Sequence, residues 1–237
     1  MNMVHSLTDA GPKARREARR QAILDAARDL VEEGGFEALT LQRLAKRLGY
    51  AVGALYRYFA SKEALWAAME AEVLRALARR LTDVARVARQ DAPHPAVAAV
   101  LARVRLYRAL PEARPVDYKL LSFAMADPRV LVPGPEATDI YEAAQPIFIE
   151  LSSDLALAQQ GGLLSEGGPI DRALILWSGL QGILQTQKLA RVAPDLLQPE
   201  RLADELTQSL LRAWGLTQEH LQQNNLHLDG LPAEIWS

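Results

Sequence analysis

Gln42 and Arg57 carry side chains that can read a nucleic-acid base. A Gln amide pairs with adenine through N6 and N7, and a guanidinium pairs with guanine through O6 and N7. Val52 and Ala54 can meet a thymine methyl group, and Gly53 has no Cβ to hold a backbone away from its partner. Tyr56 is either a further base contact or a core aromatic, and Arg57 is either a base contact or a plain surface charge. Thr40 offers a phosphate its hydroxyl, or a backbone amide at a helix N-terminus. Upstream, Arg15, Arg16, Arg19 and Arg20 form a basic cluster. It either follows a phosphate backbone, enters a minor groove, or is a solvated helix end.

These residues need two short helices to position them. Residues 39–65 read LTLQRLAKRLGYAVGALYRYFASKEAL. Leu41, Leu44, Ala45 and Leu48 recur at helical spacing and make one apolar stripe. Gly49 breaks it, and Val52, Leu55, Tyr56 and Phe59 begin a second. Two helices joined by a short Gly-containing turn form a helix-turn-helix, whose second helix enters the major groove. Thr40 is a suitable N-cap for the first of them. The spacing predicts an earlier helix over 14–33, with Ile23, Ala26, Ala27, Leu30 and Val31 inward and Gly34-Gly35 as a left-handed stop.

The stretch from about Arg15 to Leu65 resembles the N-terminal DNA-binding domain of TetR-type transcriptional repressors. Gly49, Leu55-Tyr56-Arg57-Tyr58-Phe59 and Ser61-Lys62-Glu63-Ala64-Leu65 carry the likeness by order and spacing. The resemblance implies phosphate-backbone contacts for Tyr58 and Lys62. It also marks departures. Ala51 stands where the family has Ser or Thr to cap the recognition helix and touch a phosphate, and Val52 and Ala54 stand where polar residues are common. A recognition helix poor in hydrogen-bonding groups is expected to read thymine methyls and DNA shape.

The rest of the chain reads as helical: 61–89, 96–110, 117–126, 136–160 with Pro146 as a kink or break, 170–191 and 199–214. The fold class is all-α. The resemblance implies that a three-helix DNA-binding domain precedes a larger helical effector-binding and dimerisation domain. The expected divisions are a disordered arm 1–12, a helix-turn-helix domain 13–62, a helical domain 63–220 and a tail 221–237 that either docks or stays loose.

One helix-turn-helix reads too little DNA for useful specificity, so a homodimer on an inverted-repeat operator is expected. The resemblance implies that the last two long helices pair with their symmetry mates. Leu174, Leu180 and Leu184 on one, with Leu206, Leu210 and Trp214 on the other, are interface candidates, and monomer core is the alternative. The resemblance also implies a small-molecule pocket. Apolar pockets with a few placed polar groups suit Tyr107, Tyr118, Phe123, Met125, Tyr141, Phe148, Trp177 and Gln181. That set favours an apolar or aromatic effector that releases the repressor from DNA.

Composition narrows the classes further. The 237 residues include no cysteine, which excludes disulfides and thiol chemistry. The four histidines have no ligand spacing, and no metal or cofactor is expected. Residues 1–66 carry 11 Lys+Arg against 8 Asp+Glu, and the other 171 carry 16 against 21. A basic head on an acidic body suits a partner that meets one end. No run of eighteen apolar residues and no leader pattern occur, so a cytoplasmic protein with no membrane partner is expected. A helical enzyme with a DNA-binding head is the rival reading. It lacks a nucleotide-binding Gly loop, a Ser/His/Asp set or a metal-binding His pair. A nonspecific DNA-binding protein is a second rival, disfavoured by the acidic body.

Overall fold

Pro12 has no amide hydrogen to leave unbonded, and it opens the first helix of the computed structural model. The structure describes residues 11–126, 135–193 and 195–236, without the side chains of 123–126, 135, 136 and 188. Residues 1–10 of the expected arm and the proline-punctuated segment 127–134 lie outside the described residues, whereas Pro12 is helical. Every regular element among the described residues is helical.

The chain divides into two compact units. The first holds α1 (Pro12–Gly34), a 3-10 turn (Phe36–Ala38), α2 (Leu41–Leu48), α3 (Val52–Leu55) and α4 (Lys62–Ala88) as far as Glu72. α1 buries Ile23, Leu24, Ala26, Ala27, Leu30 and Val31. Each large side chain so buried contributes about 1.5–3 kcal/mol relative to exposure. The helix stops at Gly35, whose amide bonds Val31 O at 2.9 Å. Its φ of 70° and ψ of −171° lie outside the left-handed helical region, in a region that glycine alone adopts readily. α4 starts where Ser61 Oγ accepts the Ala64 amide at 3.1 Å. Trp66 then packs on Phe36, with ring centroids 5.2 Å apart.

The second unit contains α4 from Val73, α5 (Pro95–Ala113), α6 (Pro115–Ala126) as far as Phe123, and α7 (Pro135–Gln160) from Tyr141. It continues through α8 (Pro169–Gln185), the single turn α9 (Gln187–Ala190), α10 (Pro199–Ala213) and α11 (Gln218–Asp229). α5 is central: residues 97–104, 106, 107, 110 and 111 are all buried. A helix apolar nearly all round can sit only inside a core. α8 and α10 pack on each other. A Cβ built on Gly179 would lie 2.6 Å from Leu206 Cδ2, so the Leu206 side chain occupies the space that glycine leaves.

Two alternatives that the sequence leaves open are narrowed. Pro146 does not interrupt α7. It sits on the exposed side, so the carbonyl four residues earlier loses its helical partner where water replaces it. The polar C-terminal stretch is not loose, since most of it is α11, with Leu221, Asn224 and Leu228 buried. α11 lies on α5. There His220 meets His94 edge-on, ring centroids 4.5 Å apart, and Arg105 donates to Asp229 at 2.6 Å and to Asn225 Oδ1 at 3.0 Å.

Candidate nucleic-acid interface and effector cavity

The local order of α2 comes from its two ends. Thr40 Oγ1 accepts the Arg43 amide at 3.2 Å, closing the N-terminus. At the other end Gly49 adopts φ 66° and ψ 29°, a left-handed cap that a side chain would strain. The Tyr50 amide reaches back to Ala45 O at 2.9 Å. Lys46 and Arg47 occupy the last turn, where cations meet the negative end of the helix dipole.

α3 is shorter than the sequence pattern suggests. Its regular part is Val52–Leu55. Beyond it the Tyr58 and Phe59 amides both bond Leu55 O, at 2.9 and 3.0 Å. Ala51 makes no side-chain cap, and Gly53 stands mid-helix. An uncapped start and an interior glycine each lower helix stability by about 1 kcal/mol, which accounts for the early end.

Leu44, Leu55 and Phe59 are buried beneath this unit. Above them Gln42, Ala51, Gly53, Tyr56 and Arg57 are exposed, while Thr40, Val52, Ala54, Tyr58 and Lys62 are half-buried. Tyr56 is 52% exposed, so its ring is not core. Of the basic cluster, Arg15, Arg16 and Arg19 are exposed. Arg20 instead stacks over the Phe59 ring, 5.2 Å from its centroid. Arg47 donates to Glu33 through both guanidinium nitrogens, a pair that sequence inspection did not single out. That hydrogen bond lowers the Glu33 carboxyl below its ordinary range and raises Arg47 above its own.

The second unit contains a small cavity of about 30 Å³, room for roughly two water molecules. Tyr107, Trp177, Leu180, Ile147, Leu151 and Arg103 are among its walls. Tyr107 OH donates to Gln181 Oε1, and burial raises the phenol well above its ordinary range. Phe148 meets Trp177 edge-on, with centroids 5.2 Å apart. The expected ligand residues Tyr107, Phe148, Trp177 and Gln181 are thus brought together. Tyr118 is half-buried on α6 and does not line this cavity, and Tyr141 is 64% exposed. The side chains of Phe123 and Met125 lie outside the described residues.

Behind the cavity wall lies an ionic cluster that no sequence pattern announced. Arg103, 5% exposed, donates Nε to Asp154 at 3.1 Å and Nη2 to Glu150 at 2.7 Å. Arg89 also donates to Asp154, and Thr82 Oγ1 lies 2.9 Å from both Glu150 oxygens. Buried charges persist only when paired in this manner.

The interface candidates separate on α8. Leu174 is 42% exposed and its neighbour Ile175 is 52% exposed, whereas Leu180 and Leu184 are buried within their own unit. Leu206, Leu210 and Trp214 are half-buried.

Residues 23–69 match the family model described as bacterial regulatory proteins, tetR family. The chain carries a TetR-family domain. The TetR-family match runs from the first buried residue of α1 into α4; it includes the residues from Thr40 to Lys62 expected to contact DNA, and the basic cluster Arg15 to Arg20 lies before it. The HTH-type transcriptional repressor KstR of Mycolicibacterium smegmatis is 48% identical over 59 residues. That alignment covers 25% of this chain and 28% of KstR, so the likeness spans about a quarter of each protein.

Solved structures extend the likeness in fold beyond the TetR-family domain. A protein of unknown function from Rhodococcus sp. RHA1 superposes with a TM-score of 0.67 at 19% identity, covering 89% of this chain and 99% of that one. SmeT, the repressor of the Stenotrophomonas maltophilia multidrug efflux pump SmeDEF, gives 0.60 at 22% identity, covering 84% and 91%. SmeT also matches as its triclosan complex, at 0.62. No helix among the described residues is long and apolar enough to cross a membrane.

Proposed function

We propose that this chain is a transcription regulator that binds double-stranded DNA as a homodimer. It acts as a repressor on an inverted-repeat operator and is released by a small apolar or aromatic effector. One observation carries the reading. Within the TetR-family domain, α2 and α3 keep Gln42, Tyr56 and Arg57 exposed over a buried Leu44–Leu55–Phe59 core.

Gln42, Val52, Gly53, Ala54, Tyr56 and Arg57 are assigned to the bases. Thr40, Tyr58 and Lys62 are assigned to the phosphates, and Ala51 to the same DNA-facing surface. Thr40 spends one lone pair on its cap and keeps its hydroxyl hydrogen for a phosphate. Leu174, with Leu206, Leu210 and Trp214 of α10, is assigned to the dimer. Leu180 and Leu184 support that face from inside. The apolar walls of the Tyr107–Trp177 cavity suit an apolar or aromatic effector such as the triclosan bound by SmeT, and at about 30 Å³ the cavity has to widen to admit one.

The deciding experiment is capture of host genomic fragments by the purified protein at moderate salt, followed by sequencing. Enrichment of a few promoters that share an inverted repeat is expected. Recovery proportional to genomic abundance would overturn a specific regulator, since specific sites bind at least about 10³-fold more tightly than random DNA.

A further inference from the structure

The second unit has another concave site, which shares no residue with the Tyr107–Trp177 cavity. It is a cleft of about 260 Å³ between α4 and the junction of α5 with α6. Val73, Leu77 and Leu110 line it, each at most 4% exposed. Arg80 and Arg114 line it as well. Partly buried arginines elsewhere in this unit are matched. Arg103 has Asp154 and Glu150, Arg105 has Asp229, Arg108 has Asp204, and Arg172 has Ser165. Among the described residues, neither Arg80, which is half-buried, nor Arg114 has a hydrogen-bond or ion-pair partner for its guanidinium.

We propose that this cleft binds a small organic anion, its carboxylate or phosphate held between Arg80 and Arg114 and its apolar part resting on Val73, Leu77 and Leu110. The guanidinium fork matches both oxyanions and binds either through paired N–H donors. Two such groups on one cleft repel each other until an anion joins them. Burial, and next to it the charge of Arg114, lowers the Arg80 guanidinium from its ordinary range. The opposing pull of Asp117 is weaker than either. The two carboxylates at the cleft do not remove the demand. Asp83 lies 3.8 Å from Arg86, and Asp117 is 9% exposed and has a partner of its own. Arg79, on the same cleft, adds a third cation.

The volume sets the size of the ligand. Typical small-molecule clefts enclose about 300–1,000 Å³, so this one suits a molecule of roughly six carbons and a headgroup. A neutral molecule leaves the two guanidiniums unmatched, and a bare ion leaves the apolar wall wet.

Hexanoate, hexyl phosphate, inorganic phosphate and hexanol are to be titrated into the full chain by calorimetry at low ionic strength. One of the two hexyl anions is expected to bind at least tenfold more tightly than hexanol and inorganic phosphate. Which one wins distinguishes a carboxylate ligand from a phosphate. Arg80→Gln and Arg114→Gln should each weaken that anion about tenfold. Arg114 is exposed, so its variant keeps the test open if Arg80→Gln fails to fold. Arg212→Gln, on the exposed side of α10 and outside the cleft, should leave the affinity unchanged. Equal binding of hexanol, failure of both anions to bind, or anion binding that survives both arginine substitutions would overturn the proposal.

Discussion

Tyr107 on α5 donates its hydroxyl hydrogen to the side-chain oxygen of Gln181 on α8, while the Gln181 amide nitrogen is buried without a partner. The bond joins two helices through groups 7% and 3% exposed. Tyr107→Phe strands the oxygen as well. A loss of ~1–3 kcal/mol in unfolding free energy is expected from urea denaturation. The double variant Tyr107→Phe with Gln181→Met should recover most of that loss, because it leaves no buried polar atom unmatched. A double variant no more stable than Tyr107→Phe alone would contradict the account.

Arg103→Met should be the more damaging change. It leaves Glu150 and the fully buried Asp154 without their shared cation, and breaking a buried pair costs about 3–5 kcal/mol. Arg103→Lys should rescue little, since an ammonium's three donors sit on one nitrogen and do not reproduce the separate positions of Nε and Nη2. Thermal unfolding of both variants checks the order.

Ala51→Ser should stabilise the chain by about 0.5–1 kcal/mol. The backbone there is already extended, at φ −69° and ψ 142°, as a helix N-cap requires. An unchanged denaturation midpoint would show that α3 does not depend on its cap.

Glu70 makes stability depend on pH. Burial pushes its carboxyl up to about 7 from 4.5. The folded chain then holds a proton that the unfolded chain releases. This contribution to stability is complete below about pH 4.5 and is lost as pH rises through about 7. Glu70→Gln should therefore raise the unfolding temperature at pH 8 and change it little at pH 4.5. Its effect at pH 8 is on the order of 1 kcal/mol after allowance for partial exposure. Parallel pH curves for the variant and the parent would exclude Glu70 as the source.

Lys62→Ala tests the phosphate assignment. Loss of one phosphate contact should weaken binding to operator and random DNA alike and flatten the logarithmic salt slope by about one unit. An unchanged slope removes Lys62 from the interface.

Much of this architecture was legible in the sequence because its signals are local. Thr40, Gly49 and Ser61 announce helix ends within four residues of the bonds they make, and the α1 stripe names its own buried face. Other features depend on residues distant in sequence. Arg103 meets Asp154 51 positions away, and nothing near either residue marks the pair. The same limit separates Leu174 from Leu180 and Leu184. All three lie on one apolar helix, and only the packing of α10 and the central helix decides which of them stays outside. The length of α3 is hidden for a different reason. Its apolar period continues to Phe59, but Ala51 and Gly53 withdraw the backbone support that a regular helix needs.

The all-round burial of α5 has a kinetic consequence. Its amides reach water only when the surrounding helices separate, so they should exchange with solvent at the rate of global opening. The amides of α3, beside an uncapped end and an exposed glycine, open by local fraying. Within one chain, the surface assigned to DNA would be remodelled many times over during the lifetime of a single closed core.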